Sequence, residues 1–270
     1  MFTSGIELKT NAQILKMRQA GLITAQALAA ATQAAVPGAT TQDVEAEVAR
    51  VIKENGAKSN FLGYYGFPAT ACVSVNEEVV HGIPSSRVIN DGDVVSIDAG
   101  CSVDGWHSDA ARTVLVGNVN LEDKNLSDVT EQALWVGIAK FATASRIGEI
   151  GAAIDDFNAE RYGILEDFVG HGIGSAMHMN PDVLNYRTSS KGPKIKPGMC
   201  IAIEPMFVHG TIDTVTMQDD WTIVTADKKR AAHWEHSIAR HSQGIWVLTA
   251  EDGGAAGLKP FGITPVPLES

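Results

Sequence analysis

The dipeptide Asp104–Gly105 restricts the fold of this chain more than any other feature. Asp-Gly suits a two-residue hairpin turn, and strand-like segments flank it at Val94–Asp98 and Ser108–Val114. With those two residues as the turn, Val103 faces Trp106, and counting outward sets Asp98 opposite Ala111. Side chains alternate between faces, so Asp98 and Asp109 share one face as diagonal cross-strand neighbours. Two carboxylates that close repel each other and lose hydration unless a cation sits between them. A divalent metal is the natural partner, and a solvated hairpin with its acids facing water is the bland alternative.

At 270 residues the chain can hold one large domain or two small ones. Its net charge of −11 argues against general or sequence-specific nucleic-acid binding, while leaving room for docking on a particle through a local basic patch. Cys72, Cys101 and Cys200 form no C-x-x-C pair and no even-numbered framework, which fits a reducing compartment. The first residues lack a signal-peptide pattern, and no apolar run is long enough to cross a bilayer. A cytoplasmic protein with no membrane partner is the expectation.

Along the chain, Ile14, Met17, Gly21, Ala25 and Leu28 recur at helical spacing from Asn11 to Ala35, where Pro37–Gly38 stops the helix. Thr40 and Thr41 can cap a second helix with Val44, Val48 and Val51 on its buried stripe, ending at Asn55–Gly56. Ala71–Val75 reads as a strand, followed by a loop carrying His81–Gly82–Ile83–Pro84. Residues 117–127 read as a polar connection, after which a capping box at Asp128 and Glu131 opens a third helix and Ile150, Ile154 and Phe157 mark a fourth. Helix, break, helix then repeats the order of residues 12–56. The segments Gly92–Asp98 and Gly198–Glu204 each place a carboxylate the same distance beyond a glycine, after an apolar strand. This predicts a diverged duplication of two α+β halves, about 12–116 and 127–248, with Asp98 and Glu204 meeting at a central seam. Residues 1–270 then make a single catalytic domain ending in a proline-spaced tail, Lys259–Ser270, with no evident role.

Further residues suit chemistry at that seam. His171 lies between glycines in Gly170–His171–Gly172–Ile173–Gly174, on approachable backbone, with His178 seven residues beyond. Glu204 ends an apolar strand, and Glu235 sits in His233–Trp234–Glu235–His236. Neither H-E-x-x-H nor H-x-x-E-H is present, so the single-zinc peptidase arrangement is absent. Asp98, Asp109, His171, Glu204 and Glu235 make four carboxylates and one imidazole. That set is more anionic than structural zinc prefers, and two divalent ions would balance the four carboxylates formally.

The chain resembles the type I, bacterial-type methionine aminopeptidases of the "pita-bread" metallopeptidase family. Ser74–Pro84, Ile97–Gly100, His107–Thr113, Gly170–Gly174, Ile203–Met206, Asp220–Thr222 and Glu235–His236 carry the likeness, which extends from about residue 12 to 248. It implies an α+β fold of two pseudo-twofold halves, with a curved antiparallel sheet around a dinuclear centre and helices outside. It also implies a monomer that releases N-terminal methionine from nascent chains and peptides, preferring a small second residue. By motif, Asp98, Asp109, His171, Glu204 and Glu235 correspond to the metal ligands, with Asp109 and Glu235 bridging. The cofactors would be two divalent ions drawn from Mn, Fe, Co or Zn. Glu204 would also shuttle the proton, His178 would steady the carbonyl oxygen, and His81 would bond the peptide near the scissile nitrogen. Tyr64, Phe67, Cys72, Met177, Met206 and Trp221 match or neighbour the family's methionine pocket, where sulfur and aromatic edges suit a thioether. The short start before residue 12 fits the form without an N-terminal extension.

Departures from the pattern occur at Ser175, where arginine is frequent, and at Met177 and Met179, where phenylalanine and glutamate are usual. Ser237 stands where threonine is commoner. None removes a ligand; they bear on pocket shape and flanking-residue preference. The rival enzymatic reading is an aminopeptidase P or prolidase, which carries a large extra N-terminal domain. The rival outside this chemistry is a metal-free relative, and such relatives lose ligands that are all present here.

Overall fold

In the computed structural model, which describes residues 5–269, the hairpin forms in the expected register. Val94–Val103 pairs with Trp106–Leu115, Val103 stands opposite Trp106, and Asp98 opposite Ala111. Asp104 and Gly105 both take positive φ, 51° and 77°, as a type I′ turn requires. On its other side the Val94–Val103 strand pairs with Ala71–Val75, which puts Cys72 beside Asp98.

Two helices back this sheet. Helix α1, Asn11–Ala34, starts at a capping box between Thr10 and Gln13, and helix α2, Thr41–Glu54, at one between Thr40 and Asp43. Ala20, Leu28 and Ala31 of α1 and Val44, Val48 and Val51 of α2 pack against Val73, Val95 and Ile97. The second half repeats the scheme. Met199–Ile203 lies between His236–His241 and Gly170–Gly172, with Gly244–Val247 and Met179–Val183 as the outer strands. Helices α3, Leu121–Thr143, and α4, Gly148–Asn158, cover it through Leu134, Ile138, Phe141, Ile150 and Ile154, all fully buried. The result is an α+β fold with pseudo-symmetric antiparallel sheets inside and helices outside, as the resemblance implies.

The sheets meet at one seam. Ala111 and Glu235 exchange backbone hydrogen bonds of 3.3 and 3.0 Å. The Ser237 hydroxyl accepts from the Asp109 amide at 2.9 Å and donates to the Asp109 carbonyl at 2.7 Å. Thr113 does the same for His233 at 3.0 and 2.8 Å. These contacts align the hairpin with the segment His233–Ser237, which carries Glu235.

Three local expectations are corrected. Residues 121–127 are helix, since α3 begins at Leu121 with Asn120 as its cap. Asp123 in its first turn is buried and accepts from His209 Nε2 and Arg230 Nη1, partners that fix the start seven residues before the anticipated capping box. Glu78–Val80 is a strand rather than loop, because Val80 pairs with Ile223 on a separate small sheet. The tail also has a place: the Val266 amide donates to Ile245 and Leu268 is buried beside Trp246. The first four residues of the short start and Ser270 lie outside the described residues.

Arg18 ties the halves together from α1. Its guanidinium donates to the carbonyls of Val247, Leu248, Ala250 and Glu251 at 2.6–3.2 Å. One turn on, Gly21 lets the helix close on this segment, where a Cβ would stand 2.2 Å from Leu248 O. Cys72, Cys101 and Cys200 are free and buried. Among the described residues no helix is long and apolar enough to cross a membrane.

Candidate metal centre

Strand alternation and the seam bring five side chains to one place. Asp98 and Asp109 come from the hairpin, His171 from the short strand Gly170–Gly172, Glu204 from just past Met199–Ile203, and Glu235 from the link between Ala231–His233 and His236–His241. Three groups have ligand atoms mutually within 4.8 Å: Asp98, Asp109 and Glu235; His171, Glu204 and Glu235; and Asp109, His171 and His178. Glu235 belongs to the first two. His171 Nε2 stands 3.6 Å from Glu204 Oε1 and 4.0 Å from Asp109 Oδ2.

The hydrogen bonding is incomplete in a way that fits cations. Asp98 Oδ1, Asp109 Oδ1 and Glu235 Oε1 are buried with no hydrogen-bond partner. An uncompensated buried carboxylate costs several kcal/mol or takes up a proton. In the metal-free protein the balance shifts toward the proton. Burial and the neighbouring Asp109 push Asp98, Glu204 and Glu235 well above the usual carboxylate range, and burial raises Asp109 to about 7. Divalent cations remove that penalty, and four carboxylates with one imidazole match two of them. His171 is prepared for this role. Its Nδ1 lies 3.0 Å from the Gly172 carbonyl, which can only accept, so the proton is on Nδ1 and the Nε2 lone pair is free. Burial and His178 hold its pKa down to about 3.

A cavity of about 390 Å³ opens from these five residues. His81 and His178 line it, as do Tyr64, Phe67, Cys72, Met177, Met206 and Trp221. Phe61, Phe67, Cys72 and Met177 form their own apolar cluster, with Trp221 edge-on to Phe67 at 5.1 Å. His81 takes φ 59°, unusual for a non-glycine residue, and its ring stands edge-on to Phe168 and Trp221 at 6.0 and 6.2 Å. The His178 ring lies edge-on to His171 at 4.3 Å and has an exposed outer edge. Desolvation on its inner side and the nearby His81 bring its pKa down to about 4, so both imidazoles are neutral at pH 7.

His233, among the cavity-lining residues, has no role in the sequence reading. His233 is buried, with Nε2 unbonded and 3.7 Å from Glu204 Oε2. Its i, i+2 spacing to Glu235 was the available signal, and Met206 directly across the ladder lines the cavity with it. Asn185 supports Glu204 from behind by donating to its backbone carbonyl at 3.1 Å.

Residues 15–240 match metallopeptidase family M24. Methionine aminopeptidase 1 of Bacillus subtilis is 42% identical over 242 residues, covering 89% of this chain and 98% of that protein. Methionine aminopeptidase 1 of Mycobacterium tuberculosis is 43% identical over 241 residues, covering 86% and 91%. The crystal structure of a Thermotoga maritima methionine aminopeptidase superposes with TM-score 0.89 at 39% identity, covering 92% of this chain and all of the other. A prolidase from Pyrococcus furiosus shares the fold at TM-score 0.72 and 23% identity, and this chain covers 65% of it. The chain therefore belongs to metallopeptidase family M24, on the side of the bacterial-type methionine aminopeptidases rather than the prolidases.

Proposed function

We propose that this protein is a methionine aminopeptidase, a dinuclear metal hydrolase that releases N-terminal methionine from nascent polypeptides and peptides with a small second residue. One observation carries the reading: the five-residue carboxylate and imidazole cluster opens directly into an apolar slot lined by sulfur and aromatic edges. Residues 1–270 act as one catalytic unit, with the halves 12–116 and 127–248 each contributing ligands.

Asp98, Asp109, His171, Glu204 and Glu235 would hold the ions, with Asp109 and Glu235 each common to two of the ligand groups. When bound, two divalent ions lower the pKa of water and draw electron density from a carbonyl. Glu204 takes the proton of the attacking water and returns it to the leaving amine. His178 donates to the carbonyl oxygen as charge develops there, and His81 bonds the peptide near the scissile nitrogen. Tyr64, Phe67, Cys72, Met177, Met206 and Trp221 receive the thioether side chain. The donor set accepts Mn, Fe, Co or Zn, and availability chooses among them. A cytoplasmic monomer that meets nascent chains at the ribosome completes the reading; the three free, buried thiols fit a reducing compartment.

Peptide series Met-X-Ser-Lys and Y-Ala-Ser-Lys, assayed with each metal in turn, test this function. Methionine should be released when X is Gly, Ala, Ser, Thr, Pro, Val or Cys, and norleucine should replace methionine far better than branched leucine. Equal cleavage of Met-Gly and Met-Leu peptides, or fast cleavage of Leu-Ala-Ser-Lys, would indicate a broad aminopeptidase. Cleavage confined to Met-Pro peptides would indicate an aminopeptidase P.

A further inference from the structure

The segment after the Gly170–Gly174 motif delivers Met177 and His178 to the cavity, and besides the pocket contacts of those two residues it is held by residues outside the site. Residues 5–10, ahead of α1, run beside it. The Ser175 hydroxyl donates to Glu7 Oε2 at 2.5 Å and the Ser175 amide to Glu7 Oε1 at 3.2 Å. Glu7 is gripped from the other side by Lys9, whose Nζ stands 3.4 Å from Oε1 and donates to the Glu7 carbonyl at 3.2 Å. The Lys9 side chain is only 2% exposed, so this pair is not the solvated surface contact that contributes little. Lys9 is fixed in turn, since its amide donates to Gly198 O at 2.7 Å, just before the strand that leads to Glu204. Gly174 makes the close approach feasible, because a Cβ there would stand 2.1 Å from Lys9 Cε. From the hairpin side the His107 amide donates to Gly174 O at 2.9 Å.

We propose that Glu7 is a positioning residue for the Ile173–His178 loop, so that the segment ahead of α1 takes part in selecting the substrate's first residue. Two hydrogen bonds from Ser175, one charge-assisted contact with Lys9 and the Gly174 packing set where Met177 and His178 stand against that residue. Although burial opposes it, the Ser175 bonds and Lys9 keep the Glu7 carboxyl below its ordinary range, so it is ionised at neutral pH. Ser175 here replaces the frequent arginine of relatives, and its short hydroxyl needs an acceptor at the distance Glu7 supplies. The proposal rests on the cavity being the methionine site.

The test compares Glu7→Ala, Ser175→Ala, Ser175→Thr and the Glu7/Ser175 double alanine variant. Each is assayed on Met-Ala-Ser-Lys and Leu-Ala-Ser-Lys, with metal content per chain measured in parallel. The ratio of kcat/KM for the two peptides should fall threefold to tenfold in both single alanine variants, with metal content unchanged. Ser175→Thr, which keeps the hydroxyl, should retain the wild-type ratio, and the double variant should be no worse than Glu7→Ala. A purely structural role would lower kcat for both peptides together and leave the ratio unchanged, overturning the proposal. Multiplicative losses in the double variant would overturn it too. Ser175 is exposed, so Ser175→Ala carries the test if Glu7→Ala does not fold. Failure of the wild-type enzyme to prefer methionine would refute the functional reading instead, and that control is read first.

Discussion

The phenolic oxygen of Tyr64 lies 2.8 Å from Nδ1 of His178, with the two rings edge to face at 5.3 Å. A phenol is a stronger donor than acceptor, and an unprotonated imidazole nitrogen is a good acceptor, so this contact assigns the ring proton to Nε2. His178 is thereby set as a hydrogen-bond donor from Nε2. The same tautomer disfavours Nε2 as a metal ligand, although His178 falls within ligand distance of Asp109 and His171.

Tyr64→Phe should lower kcat roughly 3- to 10-fold, the worth of one hydrogen bond. His178→Ala should lower it about 100-fold, as loss of an oxyanion donor does. Metal content should stay at the wild-type value in both. Loss of an ion in His178→Ala, measured by elemental analysis, would make His178 a ligand.

Glu235 is common to two ligand groups, so Glu235→Ala should remove more than one carboxylate's worth of binding. The expected outcome is a fall from two ions per chain to one or fewer, read from anomalous diffraction of metal-soaked crystals. Two full-occupancy peaks in the variant would refute a bridging role.

Metal removal should make stability fall with rising pH. In the metal-free protein Asp98, Glu204 and Glu235 have raised pKa values and Asp109 is raised to about 7, chiefly by burial. The folded state thus holds protons that the unfolded chain releases near pH 4, and stability drops as pH rises through the folded values. His171 and His233, pushed down to about 3 by burial, act oppositely, but only below the unfolded histidine value near 6.5. Between about pH 7.5 and 8.5 the histidines are spent, and the thiols of Cys72, Cys101 and Cys200, raised by burial, act in the same direction as the carboxylates. Tm of chelator-treated protein should decline across that window, and metal reloading should flatten the decline. A rising Tm in the metal-free protein would contradict the buried-acid account.

Arg18→Met should cost about 3 kcal/mol of stability, because four carbonyls between Val247 and Glu251 lose their donor. Denaturant unfolding checks this, and a cost below about 1 kcal/mol would mean that water replaces the guanidinium.

The hairpin was legible because its turn residues and period-two alternation are local, and together they fix the Asp98–Asp109 relationship without tertiary information. Helix α3 was legible only from Asp128 onward. Its first turn depends on Asp123 meeting His209 and Arg230, which stand 86 and 107 residues away. Glu78–Val80 was lost for a like reason, since its partner strand comes about 140 residues later. At the site, strand periodicity set the directions of Asp98, Asp109 and Glu204, whereas His171 and Glu235 were marked by residue type and motif alone, and the tertiary fold brings them to the same place. His233 escaped notice because its neighbour Glu235 already satisfied the motif. Glu7 escaped because nothing local marks a carboxylate whose partner is Ser175.

The backbone exchange between Ala111 and Glu235 has a consequence for biosynthesis. During translation the hairpin and its two aspartates emerge long before the strand that completes them. A nascent chain that stops short of residue 235 presents two crowded acids with neither a glutamate opposite nor the Ser237 hydroxyl to align Asp109. Such a chain has an acidic half-site but no dinuclear centre. The five-residue ligand set is therefore complete only late in the synthesis of each molecule.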